Sequence, residues 1–151
     1  MRLQAVPDTN VVIARQNAGE GSPNKEFFER WERDEFSLLY SDDTLLEYIE
    51  KLLEWKVSRE RIVQLMTAIR RLGVYVQIQF YHLDKYPNDK DDIPFLLCAA
   101  NGGASHLVSY DRHLLVLNNV YEFKICPTLE FLFELRQTQK KDRENDSGRS
   151  N

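Results

Sequence analysis

Four acidic residues, Asp8, Glu47, Asp92 and Asp111, have the types and the placement to do chemistry together. Asp8 follows the apolar run Leu3-Gln4-Ala5-Val6-Pro7, and Asp111 follows His106-Leu107-Val108-Ser109-Tyr110. Asp92 opens Ile93-Pro94-Phe95-Leu96-Leu97-Cys98-Ala99-Ala100, which reads as a helix. The carboxyl ends of parallel strands share one edge of a sheet, so side chains placed there converge on a crevice. Carboxylates brought that close repel one another unless protons or cations compensate. Hard cations that take oxygen ligands, Mg²⁺ or Mn²⁺, are the natural occupants of such a cluster. The pattern points to metal-assisted chemistry.

Each acid also has a plainer reading. Asp8, Asp92 and Asp111 all precede a helix, where an Asp caps free backbone N–H groups and suits the dipole. Glu47 lies on a helical wheel almost opposite Leu45, Ile49 and Leu53, as a solvated residue or one facing a groove would. Asp91 competes with Asp92 for the same role; Asp92 is favoured because Ile93-Pro94-Phe95 follows it directly. Asp42, Asp43 and Asp89 read as caps or loop residues. Asn10 and Ser109 each put a short polar group two positions from an Asp.

The elements that must hold these residues follow from period and punctuation. Strands are predicted at residues 2–7, Phe36–Tyr40, Val74–Ile78, Leu107–Val108 and Glu122–Cys126. Helices are predicted at Asn10–Ala14, Lys25–Arg33, Thr44 to about Trp55, and from a Ser58 cap through Leu72, closed by Gly73 as a C′ glycine. Leu45, Leu46, Ile49, Leu52 and Leu53 give the third helix its apolar stripe. After a polar stretch, Tyr81–Asp92, come helices to about Asn101, at Asp111–Leu117, and from Pro127 to about Leu135. Alternating strands and helices predict an α/β fold, a three-layer α/β/α domain with a mainly parallel sheet. One domain is expected over residues 1–136, with a polar, disordered tail at 137–151.

Hydrophobic residues at 42% and charged residues at 29% fit one soluble domain with a real core. No apolar stretch approaches the roughly 18 residues a membrane span needs. With no room for a signal peptide before the first strand, and Cys98 and Cys126 read as buried free thiols, a cytoplasmic location is expected. The net charge of −4 argues against a general nucleic-acid binder. It leaves open a nuclease whose carboxylates hold cations. Lys56, Arg59, Arg61, Arg70 and Arg71 face only Glu60 in their segment, as either a solvated helix pair or a phosphate-tracking face.

From Leu3 to about Leu135 the chain resembles a PIN domain, the metal-dependent ribonuclease fold related to flap endonucleases. Val6-Pro7-Asp8-Thr9-Asn10-Val11 looks like that family's opening signature, and Leu45-Leu46-Glu47-Tyr48 resembles the segment bearing its second acid. Asp89-Lys90-Asp91-Asp92-Ile93-Pro94-Phe95-Leu96 resembles the third, and His106-Leu107-Val108-Ser109-Tyr110-Asp111 the fourth. The resemblance implies that Asp8, Glu47, Asp92 and Asp111 form a catalytic quartet holding one or two Mg²⁺ or Mn²⁺ ions, supported by Asn10, Asp91 and Ser109. The implied activity is hydrolysis of RNA phosphodiester bonds. The style is similar to a branch of toxins in toxin–antitoxin pairs, loosely VapC-like, which implies an RNA substrate, a cognate antitoxin and self-association. Many relatives carry a second Asp two residues after the fourth acid; here that place holds His113, a poorer partner for a hard cation. Two other readings stand beside this one: a PIN-like module that binds RNA or a partner without catalysis, and a Mg²⁺ phosphatase with Asp8 as nucleophile. The phosphatase motif has a second Asp where this chain has Asn10.

Overall fold

The computed structural model describes residues 1–149. Five parallel strands, β1 (Gln4–Pro7), β2 (Ser37–Tyr40), β3 (Val74–Tyr75), β4 (His106–Val108) and β5 (Lys124–Cys126), form one sheet in the order β3-β2-β1-β4-β5. The helices are α1 (Thr9–Gln16), α2 (Pro23–Glu32), α3 (Asp42–Glu54), α4 (Arg59–Leu72), α5 (Ile93–Gly102), α6 (Arg112–Leu115) and α7 (Thr128–Arg149). A single 3₁₀ turn, Lys90–Asp92, leads into α5. The result is the expected three-layer α/β/α domain.

Val6, Leu38, Leu39, Leu107, Val108 and Ile125 are all buried. Strands covered on both faces read as continuous apolar runs, which is what the sequence carries. On one side α5 lies against β1, β2 and β4. On the other, α2 and α7 meet through Phe27, Phe36 and Phe131, whose ring centroids are 4.8–5.4 Å apart in tilted and edge-on pairs. Such pairs add attraction beyond the area they bury.

Four elements depart from the sequence expectation. In α3, Leu46 and Leu53 are more than half exposed, and Tyr48 takes the inward place with Thr44 and Leu52. The Tyr48 hydroxyl donates to the buried carbonyl of Pro7, so a residue that reads as polar serves the core. β3 stops at Tyr75, not Ile78; both its residues are exposed on the sheet edge, and its pairing ends as Val76 N–H reaches Tyr40 O at 2.7 Å. Gly73 ends α4 with φ −78°, outside the left-handed region a C′ glycine adopts. Close approach explains it instead, since a Cβ there would lie 2.5 Å from Ile69 O and 2.9 Å from the Tyr40 ring.

The fourth departure is at the C-terminus. α7 continues through Arg149, across most of the segment expected to be disordered. Gln139 Nε2 donates to Glu35 Oε1 at 2.6 Å, which ties the first extra turn to the body. Beyond it Gln, Lys, Arg and Glu are good helix formers, and propagation from a docked helix needs no new nucleus. Ser150 and Asn151, the end of the expected tail, lie outside the described residues.

Candidate metal centre

Chain order and strand order diverge at β1. From there the chain builds outward to β2 and β3, then returns to add β4 and β5 on the other side. This is a topological switch point, and it opens a crevice beyond the carboxyl ends of β1 and β4. Asp8 directly follows β1, and Asp111 lies just past β4. The two strand ends are locked together where Asp8 N–H donates to Val108 O at 2.8 Å.

Asp8 is 4% exposed. Its Oδ1 accepts the Thr9 N–H at 2.7 Å, capping α1, and its Oδ2 accepts the Ser109 hydroxyl at 2.7 Å. Ser109, itself fully buried, also accepts the Asp111 N–H at 3.0 Å, so one hydroxyl joins the two acids. Asp111 Oδ1 accepts the His113 N–H at 2.9 Å at the start of α6. Burial pushes the Asp8 carboxyl up to about 6, against the lowering effect of its two hydrogen bonds and with the charges of Asp111 and Asp89 adding to the rise.

Asp92 differs. It precedes α5 but makes no side-chain cap, and its Oδ2 is buried without a hydrogen-bond partner among the described residues. Burial, then the charges of Asp8, Asp111 and Asp89, push its carboxyl up to about 8. One oxygen from each of Asp8, Asp92 and Asp111 lies within 4.8 Å of the other two. Three hard oxygen donors at that spacing fit a hard divalent cation. The capping readings of Asp8 and Asp111 hold alongside this; that of Asp92 does not.

The other candidates line the same cavity, whose volume is about 490 Å³. Glu47 stands at its wall, half-buried, and burial and the charge of Asp91 push its carboxyl up. Its position is set from both sides along α3. A capping box fixes the start, with Ser41 Oγ accepting the Thr44 N–H at 3.2 Å and Thr44 Oγ1 accepting the Ser41 N–H at 2.9 Å. Tyr48, anchored on Pro7, fixes the middle. Asp91 is exposed, with Oδ2 3.7 Å from Lys51 Nζ, outside the three-carboxylate group. Asn10 Oδ1 accepts the Tyr110 N–H at 3.4 Å. His113 is exposed and does not line the cavity; its Nδ1 lies 3.5 Å from Asn88 Nδ2.

Asp89, Lys51 and Trp55 also line the cavity, and the sequence does not mark them as site residues. Asp89 does cap, as its sequence suggests, through Oδ1 and the Asp91 N–H at 2.9 Å, yet its charge also acts on Asp8 and Asp92. Lys51 and Trp55 carried no signal, because a charged and an aromatic residue near a helix end are commonplace.

The model of the PIN domain family matches residues 4–113, a span that contains all four candidate acids. No curated protein matches the chain.

Proposed function

The chain belongs to the PIN domain family, whose members are in general metal-dependent nucleases, and on that premise we propose that it is a metal-dependent endoribonuclease. The observation that carries the reading is the grouping of Asp8, Asp92 and Asp111, one carboxylate oxygen of each within 4.8 Å of the other two, at a place where Asp92 Oδ2 is buried with no hydrogen-bond partner among the described residues. Those three carboxylates would hold Mg²⁺ or Mn²⁺, with Glu47 at the margin, and Asn10, Asp91 and Ser109 as supporting groups. An ion so held acidifies a water and stabilises charge on the leaving oxygen of a phosphodiester.

The chain's own residues make that possible by orientation. Asp8 has both oxygens engaged, by Thr9 N–H and by the Ser109 hydroxyl, so its carboxylate cannot turn away from the crevice. Ser109 transmits the same constraint to the backbone of Asp111. Asp92 brings charge with no competing hydrogen bond at Oδ2 among the described residues. The raised proton affinities of Asp8 and Asp92 mean that protons compete with a cation, so cation binding strengthens as pH rises.

The finer reading is the toxin component of a toxin–antitoxin pair, acting in the cytoplasm, with a small antitoxin covering the acidic crevice and a homodimer as the assembly. Two buried free thiols, Cys98 and Cys126, suit that compartment. Among the described residues no helix is long and apolar enough to cross a membrane. The residue limits of the nuclease unit, 1–136, are part of the same proposal.

The test is cleavage of a fluorogenic single-stranded RNA in Mn²⁺, Mg²⁺ or EDTA, with Asp8→Asn in parallel. Metal-dependent cleavage that the variant lacks supports the reading. A well-folded protein inert with both metals on cellular RNA pools points to the alternative, a binding module without catalysis.

A further inference from the structure

The cavity that gathers the carboxylates is also lined by an aromatic ring and a cation, Trp55 and Lys51, at the carboxyl end of α3. Trp55 is 63% exposed, whereas Trp31, the other tryptophan, is 3% exposed in the core. An indole left in water beside a polar cleft forgoes a large apolar burial, which is the condition of a ring that receives a ligand.

The ring stands on a fixed helix end. Lys56 N–H donates to Leu53 O and Val57 N–H to Leu52 O, each at 3.0 Å, the paired bonds of a Schellman motif. Lys56 adopts φ +57° to make it, a left-handed conformation that costs a residue with a Cβ. The chain therefore holds the helix end immediately after Trp55 in a strained but fully bonded turn.

Lys51 precedes Trp55 by four residues, which places both on one helix face. It is the single cation lining the cavity among the described residues. Its Nζ lies 3.7 Å from Asp91 Oδ2 and 3.5 Å from Glu54 Oε2, two carboxylates outside the group of Asp8, Asp92 and Asp111. Glu47 lies eight residues before Trp55, about 12 Å along the helix. The ring is thus too far along α3 to face the reacting phosphate and is placed for a neighbouring nucleotide.

We propose that Trp55 is a stacking platform for an unpaired nucleobase and Lys51 the contact for the phosphate beside it, so that the site selects single-stranded RNA. The choice of RNA rests on the ribonuclease reading; the stacking rests on the ring, the cation and their shared cavity. A base in a duplex already stacks on both faces and cannot lie on an exposed indole, whereas an unpaired base can. Every base has a π-face, so the subsite selects strandedness and not sequence.

The test is binding of a short labelled single-stranded RNA to the full chain, with Ca²⁺ neutralising the carboxylates and gels checking that the RNA stays intact. The same strand annealed to its complement is the comparison. We expect tryptophan emission to be quenched by the single strand, and the quenching to vanish in Trp55→Phe, which leaves only buried Trp31. Trp55→Ala weakens single-strand binding about 5- to 150-fold, while Trp55→Phe retains most of it. In cleavage assays Trp55→Ala raises KM and leaves kcat near wild type, a split that general unfolding would not give. Equal affinity of wild type and Trp55→Ala, duplex bound as tightly as single strand, or no RNA binding at all each overturns the proposal. Binding with these signatures but no cleavage in any metal would sink the ribonuclease reading and leave the stacking subsite standing. Cleavage with KM unchanged in Trp55→Ala would do the reverse.

Discussion

Replacing Asp92 with Asn should make the metal-free protein more stable at pH 8 while removing its response to metal. The wild-type carboxyl is 5% exposed, and burial and three neighbouring acids carry it from 3.8 to about 8. A group whose folded-state pKa is raised binds more protons folded than unfolded, so stability falls as pH climbs from about 4 to about 8. Integrated over that window, ionising Asp92 costs about 5 kcal/mol at pH 8. Asparagine removes the charge but still buries an amide where Oδ2 has no partner, which returns about 1–3 kcal/mol. The net gain is about 2–4 kcal/mol at pH 8, against a total of about 5–15 kcal/mol for a typical domain. At pH 5 the wild-type carboxyl is already neutral in the fold, and the two proteins should differ little.

Urea unfolding in EDTA at pH 5 and pH 8, followed by circular dichroism, measures this directly. Saturating Mn²⁺ then supplies the second half of the test. At a concentration a hundred times its dissociation constant, a ligand adds about 2.7 kcal/mol to the wild type. The variant should gain little, so metal narrows or reverses the order seen in EDTA. If Asp92→Asn is less stable than wild type at pH 8 without metal, the carboxylate is a structural element and the repulsion argument is wrong.

Two further outcomes follow from the geometry around α3. Lys56→Gly should stabilise the chain by about 0.5–1 kcal/mol in urea unfolding, because glycine adopts φ +57° without the penalty of a Cβ. Tyr48→Phe should cost about 1–2 kcal/mol by the same assay and also slow RNA cleavage, since the hydroxyl it removes anchors α3 to the carbonyl just before Asp8.

The sheet was legible because parallel strands buried on both faces leave apolar runs with no alternation, and each run ends at a polar or turn residue. Asp8 and Asp111 could be placed on one edge for the same reason. What the periodicity misjudged lies where tertiary contacts override it. Tyr48 is fully buried on α3 because a backbone carbonyl satisfies its hydroxyl, and Leu46 and Leu53 are left at the surface. Gly73 reads as a helix-ending glycine by its position, but its φ is not left-handed and its constraint is the space between Ile69 and Tyr40, which no local pattern encodes. α7 outran its apolar stripe because composition reports the lack of burial, not the helix propensity of residues joined to a docked helix. Trp55 and Lys51 were invisible as site residues because their cavity neighbours lie just after β1, on α1 and in the turn before α5, far away in sequence.

The sequence set capping against catalysis for Asp8, Asp92 and Asp111, but capping and a shared site are compatible in the geometry of Asp8 and Asp111. A carboxylate has two oxygens, and Asp8 uses one to cap α1 and the other to take the Ser109 hydroxyl. Those bonds do not compete with a site; they hold the charge in one orientation, and the positive end of a helix offsets part of its burial. Asp111 does the same at α6. Asp92, which caps nothing, is then the group on which burial and, after it, the repulsion of Asp8, Asp111 and Asp89 fall, and its carboxyl is pushed higher than that of Asp8. Two acids fixed by the fold and a third whose Oδ2 has no donor among the described residues make a cluster whose charge a proton or a cation would offset. A proton suffices at low pH, and as pH rises towards 8 the growing negative charge would favour a divalent ion.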